Sequence, residues 1–194
     1  MKKRKFPIVL VLGIVLVLIG CVLAVVLLIR ARIGADNTRA VVEQMNMLLP
    51  QRSVGTPDSY PHSQMPILEI DGVDYVAMIE IPSMNVNLPV ADKWDGAKLF
   101  ESPARFYGSA YRAPLVIGGT DDAHQFAFCS SIDNGTSVVV TDMLGAQFSY
   151  TVTRVDRSET AETLWLIGDA DLTLYCQDVF SMEYIAVRCE FAYR

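Results

Sequence analysis

The feature that most constrains this 194-residue chain is a long apolar run near its start. Cationic residues at positions 2–5 precede roughly 22 apolar residues, enough for a helix to cross a hydrocarbon core about 30 Å thick. The run therefore predicts one transmembrane helix over residues 6–30. The cations at positions 2–5 outnumber Arg30 and Arg32 on the other side, so the positive-inside rule predicts a cytoplasmic tail at residues 1–5.

Two other interpretations of the apolar run were weighed. A secretory signal peptide has a shorter apolar region of about 7–15 residues with a small-residue cleavage site behind it, and neither is present here. Leu18-Ile19-Gly20-Cys21 resembles a bacterial lipobox in which Cys21 would carry the lipid, but residues 22–29 stay apolar. We therefore favour a single-pass plasma-membrane protein whose remaining residues lie outside the cell.

The part of the chain outside the membrane is acidic. From Arg32 onward eleven cations stand against 22 acidic residues, a formal charge of −11, whereas the whole chain has −6. About 160 residues are enough for one domain with its own core. Nucleic acid and anionic lipid are excluded as partners of this domain, because both bind cationic surfaces.

Cysteine and histidine are scarce in the outer part. Cys129, Cys176 and Cys189 are an odd number, so at least one thiol is unpaired, and their spacing is not that of a disulfide framework or a metal site. His62 and His124 are the only histidines. We therefore predict neither a metal site nor a cofactor.

The outer part divides into a leading segment and a strand-rich domain. Apolar residues recur at helical spacing before Pro50 and are followed by residues rich in Pro, Gly and Ser, which predicts a juxtamembrane helix and linker over 31–64. Residues 65–194 contain about eight short apolar runs bounded by turn residues, with one helical stretch, "HQFAFCSSI", among them. This pattern predicts a mostly β domain, a barrel or a sandwich.

Several stretches of the domain, in order and spacing, resemble the sortases, which are Gram-positive cysteine transpeptidases anchored by an N-terminal helix. These are "IEIPSMNVNLPV", "SPARFYGSAYRAPLVIGG", "VVVTDMLGAQFSYTV", "DLTLY" and "IAVRCEF". The resemblance covers about residues 48–192 and is specifically to class B-like sortases of clostridia. It implies a seven- to eight-stranded β-barrel with short helices over 65–194. As partners it implies sorting-signal peptides or proteins of the cell envelope.

In the family a Cys attacks the sorting-signal carbonyl, a His protonates the leaving amine and an Arg stabilises the oxyanion. This chain has "LVIGGTDDAHQF" and "TLYCQ" where the family has "LVIAGH…HF" and "TLxTC". Thr120, Gln177 and Tyr184 thus stand at the positions of the His, the Cys and the Arg. The resemblance with these substitutions predicts a pseudo-sortase that has lost transpeptidase chemistry and keeps a peptide-binding groove.

The alternative is an active transpeptidase that attaches surface proteins to the cell wall, with Cys176 as nucleophile and His124 as base. Consecutive strand residues face opposite sides, so Cys176 faces the core if Gln177 faces the cleft. A β-bulge would turn Cys176 outward. Arg112, expected in a loop, is the candidate cleft cation, and Arg188 is interpreted as a structural cation.

A third interpretation is an assembly protein of the cell surface whose cleft is closed. It predicts a groove filled by side chains such as Trp165 or Phe180.

Asp121 and Asp122, just before the helical stretch, are predicted to cap its N-terminus. The orientation of the Cys176 side chain separates the active-enzyme interpretation from the pseudoenzyme.

Overall fold

The structure is a computed structural model that describes residues 8–95 and 101–192. For residues 8–10 and 26–37 it describes the backbone and not the side chains. The predicted cytoplasmic tail at residues 1–5 therefore lies outside the described residues.

Two compact units make up the chain, residues 1–36 and residues 37–194. Helix α1 runs over Ile8–Leu48. Within the described part of the chain, no helix is long and apolar enough to cross a membrane. The transmembrane helix at 6–30 and the segment boundaries drawn from the sequence remain predictions.

The second unit is mostly β, as predicted, and its described residues contain ten strands of one sheet. The strands are β1 Ser53–Val54, β2 Leu68–Ile70, β3 Val73–Ile81, β4 Val86–Ala91, β5 Ala104–Ser109, β6 Arg112–Gly118, β7 Ser137–Asp142, β8 Ala146–Ser158, β9 Leu172–Gln177 and β10 Tyr184–Phe191. A short helix, α2, spans Thr163–Ile167, and 3₁₀ helices span Pro82–Met84 and Ala127–Ser130.

The strands pair in the order β1-β8-β10-β9-β6-β5-β4-β3-β2, and β7 pairs with both β3 and β8. The pairings among the described strands thus close a ring of eight, β8-β10-β9-β6-β5-β4-β3-β7. We expected seven or eight strands, and the sheet has ten because β1 and β2 add to this ring. With two and three residues, these strands are too short to show an alternating pattern in the sequence.

Strand β9 lies between β6 and β10. It pairs with β6 in parallel and with β10 antiparallel. Leu172, Leu174 and Cys176 point from β9 into the main core. A second cluster packs Met45 of α1 against strand residues such as Met78.

The opposite face of β6, β9 and β10 carries a third, smaller cluster of buried residues. It consists of Val116, Leu166, Tyr175 and Ala186. Leu166 belongs to α2, so this helix covers part of that face. We refer to it as the outer face, because its residues alternate with those that enter the main core.

The helical stretch predicted within "HQFAFCSSI" is shorter than expected. Only Ala127–Ser130 is helical, as a 3₁₀ helix, and the residues just before it form turns. Two of its residues, Phe128 and Cys129, are buried in the main core. This segment therefore connects β6 to β7 and closes one side of the core.

Candidate functional site

The three positions predicted from the sequence to match sortase catalytic residues lie at or just past neighbouring strand ends. Tyr184 of β10 pairs with Gln177 of β9. Gly118 of β6 pairs with Tyr175 in parallel, so Thr120, two residues further along, reaches the level of Gln177. The Gly119 amide donates to the Tyr175 carbonyl at 3.0 Å, which continues this alignment. The register thus brings Thr120, Gln177 and Tyr184 together.

Gln177 and Tyr184 carry neutral hydrogen-bonding groups. Both side chains are half-buried. The Gln177 amide Nε2 donates to the Met182 carbonyl at 3.0 Å. Tyr184 packs against the outer-face cluster. A carboxamide has no ionised form near neutral pH and cannot replace a thiolate as a nucleophile.

The loop that carries Thr120 is held by backbone hydrogen bonds on both sides of this residue. The Thr120 amide donates to Oε1 of the buried Gln125 at 3.1 Å. The Phe126 amide donates to the Thr120 carbonyl at 3.0 Å. Because both backbone groups of Thr120 are bonded, its position is fixed by the loop and does not depend on a ligand.

The two aspartates after Thr120 have different roles, and only one caps a turn. The Asp122 carboxylate accepts from the His124 amide at 2.8 Å, as a cap of the turn would. The Asp121 carboxylate accepts from the Val179 amide at 3.2 Å, in the loop between β9 and β10. The capping prediction was therefore wrong for Asp121, which joins the two loops that flank Gln177.

Cys176 lies in the core and does not line the cleft. Its side chain is 1% exposed, and Sγ donates to the Phe126 carbonyl at 3.7 Å. The β9–β10 register is continuous across Cys176 and Ile185, so there is no bulge that would turn the thiol outward. Burial, followed by a hydrogen bond with Cys176, raises the pKa of the neighbouring Cys129 thiol.

His124, the proposed partner base, lies on the surface. Its side chain is exposed, and no contact with Cys176 is found in the described part of the chain. The structure therefore does not bring together the two residues that an active transpeptidase using Cys176 would need.

Arg112 was expected in a loop, but it is the first residue of β6. It is exposed and lies eight residues before Thr120. At about 3.3 Å per strand residue this separation is about 26 Å, so Arg112 cannot reach the level of Gln177. The candidate cleft cation is therefore at the opposite end of the strand.

Arg188 is a structural cation, as interpreted from the sequence. It is 1% exposed and its guanidinium donates to Asp156 at 3.0 Å, the Leu166 carbonyl at 2.8 Å and the Thr173 hydroxyl at 3.0 Å. It also bonds the Trp165 carbonyl and lies 5.1 Å from the centre of that indole ring. Arg188 thus fixes the end of α2 to β9 and β10.

An aromatic cluster that the sequence did not reveal lies on the outer face beside Gln177. The Trp94 and Tyr175 rings stack with centroids 5.5 Å apart, and Phe106 meets both edge-on at 5.6 and 5.8 Å. A Cβ on Gly118 would lie 2.3 Å from the Trp94 ring, so only glycine allows this approach. Phe106 lies in β5, Tyr175 in β9 and Trp94 in the segment after β4, so the cluster forms only when these segments come together and no local pattern indicates it.

The two side chains expected to close the cleft differ. Phe180 is 94% exposed and fills no groove. Trp165 packs over Arg188 and against the outer-face cluster that Tyr184 also contacts. Trp94 covers the outer face of β6 at Gly118. The closed-cleft interpretation therefore stays a prediction.

The fold is similar to that of solved sortases. Sortase A from Corynebacterium diphtheriae gives a TM-score of 0.55 at 16% identity, over 84% of this chain and 85% of that chain. Sortase C-1 from Actinomyces oris gives 0.55 at 23% identity, over 83% and 99%. A sortase D5 transpeptidase of Clostridium perfringens gives 0.53 at 16% identity, over 62% and 80%.

No protein-family model matches the sequence, and no curated protein matches it. At the identities of the solved structures the similarity establishes the fold and leaves the activity open. The chain therefore has a sortase-like fold, while its assignment to class B and the roles of Thr120, Gln177 and Tyr184 stay predictions.

Proposed function

We propose that this chain is a membrane-anchored pseudo-sortase at the outer surface of a Gram-positive cell, without transpeptidase activity. The observation that carries this proposal is the orientation of β9. Cys176 enters the core, while the next residue, Gln177, faces outward in register with Tyr184. The outward position matches the family's nucleophile, and it holds an amide.

The chemistry of the three matched positions supports loss of the reaction. Transpeptidation needs a thiolate to form the thioester, a proton donor for the leaving amine and a cation or dipole for the oxyanion. Gln177 forms no thioester, Thr120 has no group that titrates near neutral pH, and Tyr184 carries no positive charge. All three elements of the mechanism are absent from these positions.

The same residues are suited to binding a peptide without cleaving it. A hydroxyl, an amide and a phenol can donate to and accept from the backbone of an extended peptide. Trp94, which stacks on the buried Tyr175 and is itself 37% exposed, offers apolar surface on the same outer face. The ligand we propose is a sorting-signal-like peptide or a segment of another envelope protein.

The membrane anchor is supported by the sequence of α1. Its apolar residues continue without a charge up to Arg30, and side chains such as Leu16 and Val17 are 62% and 65% exposed. The cationic residues at 2–5 favour a cytoplasmic N-terminus. Protease added to intact cells should then remove the domain, whereas protection until the cells are lysed would contradict this orientation.

The competing function, a transpeptidase that uses Cys176 and His124, fits the geometry less well. The thiol is 1% exposed and bonded to a backbone carbonyl, and the imidazole lies on the surface. A peptide carbonyl could meet Cys176 only if β9 rotated its residues to the other face, which would expose its core side chains.

Repair of the site tests the proposal. Thr120→His, Gln177→Cys and Tyr184→Arg together should allow a thioester with a sorting-signal peptide to be detected by intact-protein mass spectrometry. The single variants should form none, because catalytic residues act as a unit and two remaining defects hide the third. The unmodified chain should also form no adduct.

Two controls make the result interpretable. Cys176→Ala in the repaired background should leave adduct formation unchanged, since the thioester is expected on residue 177. An adduct on Cys176 of the unmodified chain would overturn the pseudoenzyme proposal. A folded triple variant that forms no adduct with a panel of sorting peptides would contradict the matching of these positions to the catalytic residues.

A further inference from the structure

We propose that a second groove, which runs along the β5–β6 hairpin from Trp94 to Arg112, binds an acidic peptide in extended conformation. This groove has a volume of about 830 Å³, within the range typical of ligand sites. It lies on the hairpin of β5 and β6 and is bordered by the end of β4 and by residues 63 and 64. We call it the hairpin groove.

The charge of the hairpin groove is opposite to that of the domain. Its lining contains Lys93, Arg105 and Arg112 and one acidic residue, Asp92. Arg105 forms an ion pair with Asp92, and both side chains are largely buried, so these two charges offset each other. Lys93 and Arg112 remain as exposed cations in a domain of formal charge −11.

The lack of ion pairs at these two cations is unusual for this chain. Among the cations whose side chains the structure describes, only Arg39, Lys93 and Arg112 form no ion pair with a carboxylate. Those that do are Arg52, Arg105, Arg154, Arg157 and Arg188. Two of the three unpaired cations therefore line one groove.

Lys93 and Arg112 do not contribute equally. Lys93 also borders a neighbouring depression that contains Asp74, Asp95 and Glu101, and these carboxylates reduce the local positive potential. Arg112 has no such neighbours in the lining of the hairpin groove. We therefore assign the main anion contact to the Arg112 guanidinium, which can bind a carboxylate through two parallel hydrogen bonds.

The backbone of β5 explains why the ligand should be a peptide. On one side β5 pairs with β6, with register shifts between Arg105 and Tyr107 and between Gly108 and Ser109, and on the other side it pairs with β4 only at Ala104. Among the described residues, Arg105–Ser109 therefore have no strand on the side away from β6. Such an edge accepts an extended peptide as an added strand, which a polyanion without backbone amides cannot imitate.

Exposed aromatic rings supply the remaining contacts. Trp94 is 37% and Tyr107 is 47% exposed, and both line the hairpin groove. Side chains alternate along an extended peptide, so acidic residues can face Arg112 while apolar residues contact these rings. The hairpin groove shares Trp94 with the aromatic cluster of the outer face. It involves neither Thr120, Gln177 nor Tyr184, so acidic-peptide binding through Arg112 can be tested separately from the function proposed above.

Binding to the full chain in detergent micelles tests the proposal, with fluorescence anisotropy of a labelled peptide of alternating Glu and Val as readout. We expect saturable binding that Arg112→Glu weakens by about tenfold or more and Tyr107→Ala by about threefold. Arg39→Glu is the matched control, because it reverses an exposed, unpaired cation outside the groove, and it should leave the affinity unchanged. Circular dichroism verifies that each variant is folded.

Three further probes distinguish the source of the affinity. The same peptide with Gln in place of Glu should bind at least about tenfold more weakly, and N-methylation of alternate amides should abolish strand addition. Inorganic polyphosphate should not compete at equal charge concentration. Equal binding of polyphosphate, insensitivity to Arg112→Glu, or no saturable binding up to about 1 mM peptide would each overturn the proposal.

Discussion

The two faces of β9 have different chemical environments. On the inward face Leu172, Leu174 and Cys176 are fully enclosed by other apolar residues of the main core. On the outward face Thr173 and Tyr175 are also buried, but they contact a guanidinium and two aromatic rings. The strand ends at the half-buried Gln177. One six-residue strand thus provides both core packing and a candidate site.

The alternation of side chains along β9 determines whether a functional group is enclosed in the core or lies on the outward face. Cys176 and Gln177 are neighbours in sequence, yet the thiol lies in the core and the amide lies beside the β9–β10 loop. A thiol at position 176 is therefore no substitute for one at position 177. The opposite end of the outward face is structural, since Thr173 bonds to the buried Arg188.

The largest effect should come from Arg188→Ala, which breaks the structural end of the outward face. The substitution leaves the Leu166 and Trp165 carbonyls and the Thr173 hydroxyl without their Arg188 donor, and removes one of the two arginine partners of Asp156. Loss of one partner in a buried charged network costs about 3–5 kcal/mol. Urea denaturation followed by circular dichroism measures this loss.

Arg157→Ala is the matched control for Arg188→Ala. Arg157 is 43% exposed and its ion pairs with Asp178 and Glu183 are 3.7 Å long. Exposed pairs of this kind contribute about 0–1 kcal/mol, so the control should lose little stability. Equal losses in the two variants would contradict the structural role of Arg188 at α2.

Alkaline pH should destabilise the folded protein through the buried thiol of Cys189, which lies on the inward side of the sheet. Burial raises the pKa of Cys189 from 9.0 to about 12. Above about pH 9 the unfolded thiol loses its proton while the folded thiol keeps it, so stability falls by about 1.4 kcal/mol per pH unit. The fall should level off near the folded pKa of about 12.

Cys189→Ala isolates this effect, because other groups that titrate at alkaline pH are the same in both proteins. The difference in unfolding free energy between wild type and variant should change by about 1.4 kcal/mol per unit above pH 9. Below pH 8 the difference should be constant. A difference that is independent of pH up to 11 would mean that Cys189 is accessible to solvent in the folded protein.

Much of the fold follows from patterns that the sequence displays. The apolar runs at β6, β9 and β10 predicted three of the strands, and these strands are neighbours in the sheet. Alternation along a strand predicts that Cys176 and Gln177 lie on opposite faces, as they do. Both inferences rest on local periodicity, which a single sequence shows directly.

The features that were missed depend on contacts between distant segments or on very short elements. Helix α2 has five residues, too few for a helical period, although Gly168 follows its end as a C-terminal cap often does. Trp94 meets Tyr175 only after the strands have paired. Arg112 was expected in a loop, but β5 ends at Ser109 and β6 begins at Arg112. The turn between them has only two residues, so Arg112 already belongs to the strand.

The smallest effect should come from Gln177→Ser, compared with Cys176→Ser on the next residue. Gln177 is half-buried and its amide donates to the Met182 carbonyl at 3.0 Å, so loss of this contact should change stability by no more than about 0.5 kcal/mol. Cys176→Ser puts a hydroxyl among apolar groups, which should cost about 1 kcal/mol or more. Urea denaturation of both variants measures the difference. Equal losses would mean that β9 does not separate a packed face from an open one, and position 177 would then be unsuited to accept a restored nucleophile.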